Sequence, residues 1–174
     1  MERSTQDRRG WLGRAAAALL ATLVPWSARA LDAPTGPVIL TLTGRIAHTN
    51  VDGAAAFDLA MLRKLPQHSF TTRTPWYPQP RKFSGVLLSE LLATVGAQGD
   101  TVKAAALNDY RVDIPVEDFA RHGALLAYLL DDKPMAVREK GPLAVIYPFD
   151  DRPELRTPLY YGRAIWQLRS LEVR

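Results

Sequence analysis

Apolar runs in this chain are short and closely punctuated, and that limits the fold it can adopt. Thirteen prolines and eleven glycines interrupt 174 residues. The best helical stretch opens at Ser84-Gly85 and closes at Gly96, about three turns in all. Val86, Leu87, Leu88, Leu91, Leu92 and Val95 give it an apolar face, with Gly96 as its C′ residue. A second short helix, Leu59 to Leu65, is capped by Asp58 and stopped by Pro66. A one-turn helix follows Pro115, with Glu117 and Asp118 at its positive end. The remaining apolar segments read as strands: Val38–Thr43, Ser69–Thr74, Val102–Leu107, Tyr110–Ile114, Ala124–Leu130, Leu143–Tyr147 and Ala164–Val173. Turns fall at Asn50–Ala55, at Asn108-Asp109 and at Asp131-Asp132-Lys133-Pro134. With strands dominant and helices short, the expected architecture is an α+β domain of mixed, twisted sheets.

The first thirty residues read as an address rather than as part of that domain. Arg8-Arg9-Gly10-Trp11-Leu12 is a charged n-region followed by two bulky apolar residues. Ala15–Val24 is an apolar stretch too short to cross a bilayer core of roughly 30 Å. Pro25 breaks it, and Ala28-Arg29-Ala30 offers small residues to a signal peptidase. Residues 1–30 are therefore expected to be a signal peptide for either the twin-arginine or the general export route, with 31–174 the mature domain. The implied location is the periplasm, with no membrane span left after processing.

Charge and residue types exclude several function classes. The formal net charge is +4, but Arg3, Arg8, Arg9, Arg14 and Arg29 against Glu2 and Asp7 account for +3 of it. A mature chain near +1 has no dense cationic face for nucleic acid. The sequence holds no cysteine, which removes disulfides, thiolate metal sites and cysteine nucleophiles. His48, His68 and His122 are scattered, without zinc spacing or an acid at helix pitch. No serine sits in a nucleophile elbow and no glycine-rich phosphate loop is present. Asp150-Asp151 with Glu154 reads as a solvated acidic loop before it reads as a cation site.

Five stretches, taken in order, carry a family resemblance. They are Phe83-Ser84-Gly85-Val86-Leu87-Leu88 with Leu91-Leu92; Asn108-Asp109-Tyr110 between strands; Leu125 to Tyr128 with Lys133-Pro134-Met135; Gly141-Pro142-Leu143 running into Tyr147-Pro148; and Tyr161-Gly162-Arg163 with Trp166. Together they resemble the oxidoreductase molybdopterin-binding domain, the sulfite-oxidase fold, over roughly Val38 to Val173. In that family a cysteine thiolate just after the strand equivalent to Ser69–Thr74 holds molybdenum. Here the stretch is Phe70-Thr71-Thr72-Arg73-Thr74-Pro75-Trp76, and threonine hydroxyls are hard, weakly acidic donors that do not replace a soft thiolate. The chain is more similar to a subgroup of short periplasmic pterin-binding (PruR-like) proteins. That likeness implies a metal-free reduced pterin and a membrane-bound signalling partner that controls cyclic di-GMP.

A pterin presents a donor-rich edge that a carboxylate can accept, and flat faces that aromatic or guanidinium planes can cover. Asp109, with Asn108 beside it, is the first choice for the edge, although the same pair is ordinary hairpin chemistry. Trp76 and Arg73 lie where the family places its metal-binding loop, and they serve equally as a core or lid aromatic and a solvated cation. Tyr161, Arg163 and Trp166 match the segment that contacts the pterin tail in the family. Trp166 also has the spacing of a strand's inner face. Arg138 and Lys140 match a loop bordering the pocket, or a charged turn.

The function that the resemblance and the missing cysteine together imply is a non-catalytic periplasmic sensor that binds a pterin and signals to an inner-membrane receptor. The proline-rich segments Arg73–Pro80 and Asp150–Pro158 are the expected contact surface for that receptor. Two alternatives stay open: a molybdopterin-dependent oxidoreductase with an unusual non-cysteine site, and a scaffold whose pocket has closed.

Overall fold

The computed structural model describes residues 31–174; the expected leader lies outside them. In chain order the elements are β1 (Leu40–Gly44), β2 (Ala55–Phe57), α1 (Leu59–Lys64), β3 (His68–Thr74), β4 (Tyr77–Leu87), α2 (Leu88–Thr94), β5 (Thr101–Ala106), β6 (Arg111–Pro115), α3 (Val116–His122), β7 (Leu125–Leu130), β8 (Lys133–Pro134), β9 (Ala144–Ile146), α4 (Pro158–Arg163) and β10 (Leu168–Val173). Single 3-10 turns occur at Val137–Glu139 and Pro153–Leu155. No described helix is long and apolar enough to cross a membrane.

The strands form two sheets. One runs β2-β1-β10-β5-β6, and the other β3-β4-β7, with β8 and β9 sharing the far edge of β7. Among the described residues only β1 and β10 pair in parallel; the other ladders are antiparallel. The main core lies between the layers and draws on Leu40, Leu42, Leu88, Leu91, Ile114, Phe119, Leu126, Val145 and Leu171. Alternate residues of the same β7 and β9 strands, Leu125, Ala127, Ala144 and Ile146, pack with Phe83 and Met135 on the opposite face. Period-2 alternation thus buries both faces of the second sheet. Trp166, Tyr77 and Phe70 cover its outer cluster.

Local chemistry explains most boundaries. The Asp58 carboxylate accepts the Met61 backbone N–H at 2.8 Å and starts α1, as an N-cap does. It also accepts the Thr35 and Gly36 amides at 2.7 and 2.8 Å, fastening the incoming chain. Asp131 and Asp132 take φ of 48° and 62° in the turn between β7 and β8, the left-handed pair that a tight hairpin needs.

The structure departs from the sequence expectation at several joints, and the strand expected from Ala164 begins only at Leu168, after the helix α4. The helix expected from Ser84 begins only at Leu88, because Ser84–Leu87 pair with Leu125–Leu129 of β7 as strand. Tertiary pairing outweighs local helical periodicity there. Gly85 shows why the strand wins: it sits at a register shift, and a Cβ added to it would stand 1.9 Å from the Leu126 carbonyl oxygen. The segment Arg73–Pro80 is likewise no free loop. Tyr77–Pro80 belong to β4, and Pro75-Trp76 form a two-residue turn between Thr74 and Tyr77. The prolines of this segment fall near the outer end of a long strand, where a missing N–H is tolerated.

Candidate ligand-binding site

The tight β3–β4 turn throws Trp76 outward from the second sheet toward α4 and the segment leading into β10. There its ring meets Trp166 edge to face, with centroids 5.0 Å apart, and Tyr161 at 6.1 Å. These three aromatics, with Asn108, Tyr110, Gly162, Ile165 and Gln167, line an open cleft of about 220 Å³. The aromatic row continues from Trp166 to Tyr77 at 6.0 Å and from Tyr161 to Phe149 at 5.0 Å. Lys140 Nζ stands 5.5 Å from the centre of the Trp166 ring, and the Arg81 guanidinium lies 4.8 Å over Tyr77. Cations over aromatic faces of this kind contribute about 0.5–1 kcal/mol where exposed. Burial pushes the Tyr77 hydroxyl up from its ordinary range, with Arg81 opposing it.

Polar atoms on the cleft are few and placed by turns. The Asn108 side-chain oxygen accepts the Tyr110 N–H at 3.2 Å, a local turn bond that leaves the amide nitrogen available. Tyr110 donates its hydroxyl to the Gly162 carbonyl at 3.0 Å, closing one end of the cleft. The indole N–H of Trp166 is buried and has no partner among the described residues. Gln167, at φ 53°, donates its side-chain amide to Val137 O at 2.8 Å.

Of the residues expected from sequence, Trp76, Asn108, Tyr161 and Trp166 converge on this cleft. The others stand elsewhere. Asp109 occupies the exposed corner of the β5–β6 turn at φ 65° and does not line the cleft. Arg73 is exposed, and its backbone N–H donates to Asp150 Oδ2 at 3.0 Å. The loop after Tyr147 is thereby tied to β3, so the two segments expected to contact a receptor touch one another. Arg138 is 87% exposed on a 3-10 turn beside Glu139. Arg163 turns inward: its Nη1 donates to Asp118 Oδ2 at 2.5 Å. Tyr110 and Gln167 line the cleft without having been singled out from sequence. The exposed aromatic directly after an Asn-Asp turn was the signal for Tyr110.

His122 also differs from the sequence reading. It has an acid at helix pitch after all, Asp118, whose Oδ1 lies 4.0 Å from His122 Nε2. The residues are buried beside Tyr160 rather than set in a metal cluster.

The donor set fits a flat heterocycle better than a metal. Aromatic edges and faces and an amide side chain suit a planar ring with a hydrogen-bonding rim. Among the described residues no group of three or more His, Cys, Asp or Glu is placed to hold a metal ion. The hydroxyl of Thr74, at the end of β3, is buried without a partner, and it is a hard oxygen where molybdenum of this class takes soft sulfur.

Residues 74–149 match the family described as the oxidoreductase molybdopterin binding domain. The match holds Trp76 and Asn108 and ends before α4, so the Tyr161 and Trp166 side of the cleft lies beyond it. That stretch is thus similar to a molybdopterin-binding, oxidoreductase-like domain, and the mixed α+β architecture of the chain is the sulfite-oxidase-like fold. Among solved structures it is similar to the sulfane dehydrogenase SoxCD from Paracoccus pantotrophus, at 15% identity and a TM-score of 0.56. That likeness covers 77% of this chain and 37% of the SoxCD chain, so the present chain spans well under half the length of its relative. No curated protein matches the sequence.

Proposed function

We propose that this domain is a periplasmic pterin-binding sensor that works without molybdenum and passes its bound state to an inner-membrane receptor controlling cyclic di-GMP. The observation that carries the reading is the composition of the cleft. It keeps Trp76, Tyr161 and Trp166 around an aromatic-sized space, in a molybdopterin-binding fold whose sequence has no cysteine for the metal. A pterin entering edge-on would stack on the Trp76 and Tyr161 side and present its carbonyl to the Asn108 amide. The bound state shifts a receptor only if free and bound forms differ in affinity for it. The tied segments at Arg73 and Asp150–Pro158, close to Phe149 and Tyr161 in the aromatic row, are the surface on which such a difference would register.

The test is to purify the domain from its native periplasm, denature it, and record the fluorescence and mass of what is released, with molybdenum measured in parallel. A released pterin without metal is the expected result. Stoichiometric molybdenum would instead make the domain an oxidoreductase with a non-thiolate site. Release of no small molecule would make it a scaffold.

A further inference from the structure

The Tyr161 and Gly162 side of the cleft rides on α4, a helix of six residues, Pro158–Arg163, none of them fully buried. A helix that short has no stability of its own in water, so its position is set by what it is fastened to. Tyr160 and Arg163, three residues apart, share one face of α4, and both reach α3. Arg163 Nη1 donates to Asp118 Oδ2 at 2.5 Å, and the Tyr160 hydroxyl meets His122 Nε2 at 3.2 Å. Asp118 and His122 are only 4% and 7% exposed. Tyr147, fully buried, packs its ring 5.5 Å from Tyr160, and the Arg163 guanidinium lies 5.4 Å over the Tyr160 ring. Each residue between these anchors faces the ligand space: Tyr161 and Gly162 line the cleft.

We infer that Asp118 and Arg163 are positioning residues for the cleft. Their buried ion pair holds Tyr161 opposite Trp76 and so sets ligand affinity, although neither residue lines the cleft. The inference rests on the pterin-binding reading and adds to it the device that fixes the binding geometry. It also gives a physical reason for an arginine at this position: a planar fork reaches a buried carboxylate while its plane covers a tyrosine ring. A purely stabilising pair predicts something different. Removing one partner leaves an uncompensated buried charge, whereas replacing both by apolar residues of similar volume is often neutral for stability.

The experiment compares the unsubstituted domain with Arg163→Met, with the double variant Asp118→Leu/Arg163→Met, and with Arg163→Lys. Thermal unfolding, near-UV circular dichroism of the Trp76–Tyr161–Trp166 cluster, and tetrahydrobiopterin binding are measured for each. Arg163→Met is expected to melt well below the parent. The double variant is expected to melt within about 4 °C of the parent, yet to bind the probe about tenfold or more weakly with an altered aromatic signal. Parent-like affinity and spectrum in the double variant would overturn the inference, leaving the pair a stability device. If the double variant does not fold, Arg163→Lys decides. It keeps the charge and loses the fork, so weaker binding with an altered spectrum supports positioning, and parent behaviour overturns it. If the unsubstituted domain itself does not bind the probe, the pterin reading fails for that ligand. The ligand-free aromatic spectrum then decides the positioning claim, a changed signal supporting it and an unchanged one overturning it.

Discussion

Trp76 and Trp166 meet edge to face at 5.0 Å, although one sits on a hairpin turn and the other just before the last strand. The contact joins the tip of the second sheet to the segment that leads into the first. It makes the cleft a junction between the layers rather than a dent in one of them.

Removing Trp76 should therefore affect binding more than folding. Trp76→Ala is expected to weaken tetrahydrobiopterin binding by about tenfold or more, since a central aromatic wall carries much of a small site's energy. The cost in stability should be about 1–2 kcal/mol, because the ring is only partly buried. Fluorescence titration and a urea melt measure the two. Unchanged affinity would remove the cleft from consideration as the pterin site.

Asp58 gives a pH prediction with a definite sign. Its carboxylate accepts the Met61, Gly36 and Thr35 amides, and the Met61 bond leads in holding its pKa down to about 2 from an ordinary 3.8. A depressed folded-state pKa adds stability that is fully present above the unfolded value and is lost as pH falls through the folded one. Asp58→Asn should thus destabilise the domain at pH 7, and its deficit should shrink between about pH 4 and pH 2. Melting curves of both chains across that window check this; a constant deficit would contradict it.

Gly85→Ala is expected to be severe. Its added methyl would stand 1.9 Å from a backbone carbonyl of β7 that cannot swing aside. The β4–β7 ladder would have to open, at a cost of about 3 kcal/mol or more. Loss of soluble expression or a large fall in melting temperature is the expected result, whereas Gly53→Ala, with no atom within 4 Å of its Cβ, supplies a control strained only by its φ of 77°.

Asp150 ties the loop before α4 to the edge strand β3. It accepts from the Arg73 amide at 3.0 Å and from Arg156 Nη2 at 2.5 Å, while its own N–H donates to Thr72 Oγ1 at 3.0 Å. Asp150→Ala should cost about 1–2 kcal/mol and speed trypsin cleavage after Arg156, as loosened loops are cut first. Asp151→Ala, at the exposed neighbouring position, should leave the cleavage rate unchanged.

Features written in a few adjacent residues were legible in the sequence. The Asp58 cap, the stop at Gly96, and the Asn108-Asp109 and Asp131-Asp132 turns all stand where side-chain chemistry puts them. What was not legible depends on partners far along the chain. Val86 and Leu87 have helical spacing, but β7 claims them as strand. The helix α4 is hard to read because Tyr-Tyr-Gly has little helical character, and Thr157-Pro158 is the one start signal for it. The site divided in the same way. Aromatics that no charge competes for reached the cleft, whereas Arg163 was claimed by Asp118 and Asp109 by the geometry of its own turn.

The parallel pairing of β1 with β10 has a consequence for how the molecule is made. β10 lies in the middle of its sheet, hydrogen-bonded on one side to the first strand of the domain and on the other to β5. Without β10, β1-β2 and β5-β6 are two separate hairpins with bare inner edges. The sheet is therefore incomplete in any fragment that stops short of β10. Joining the two hairpins is a long-range closure, the slow kind of step that high contact order imposes.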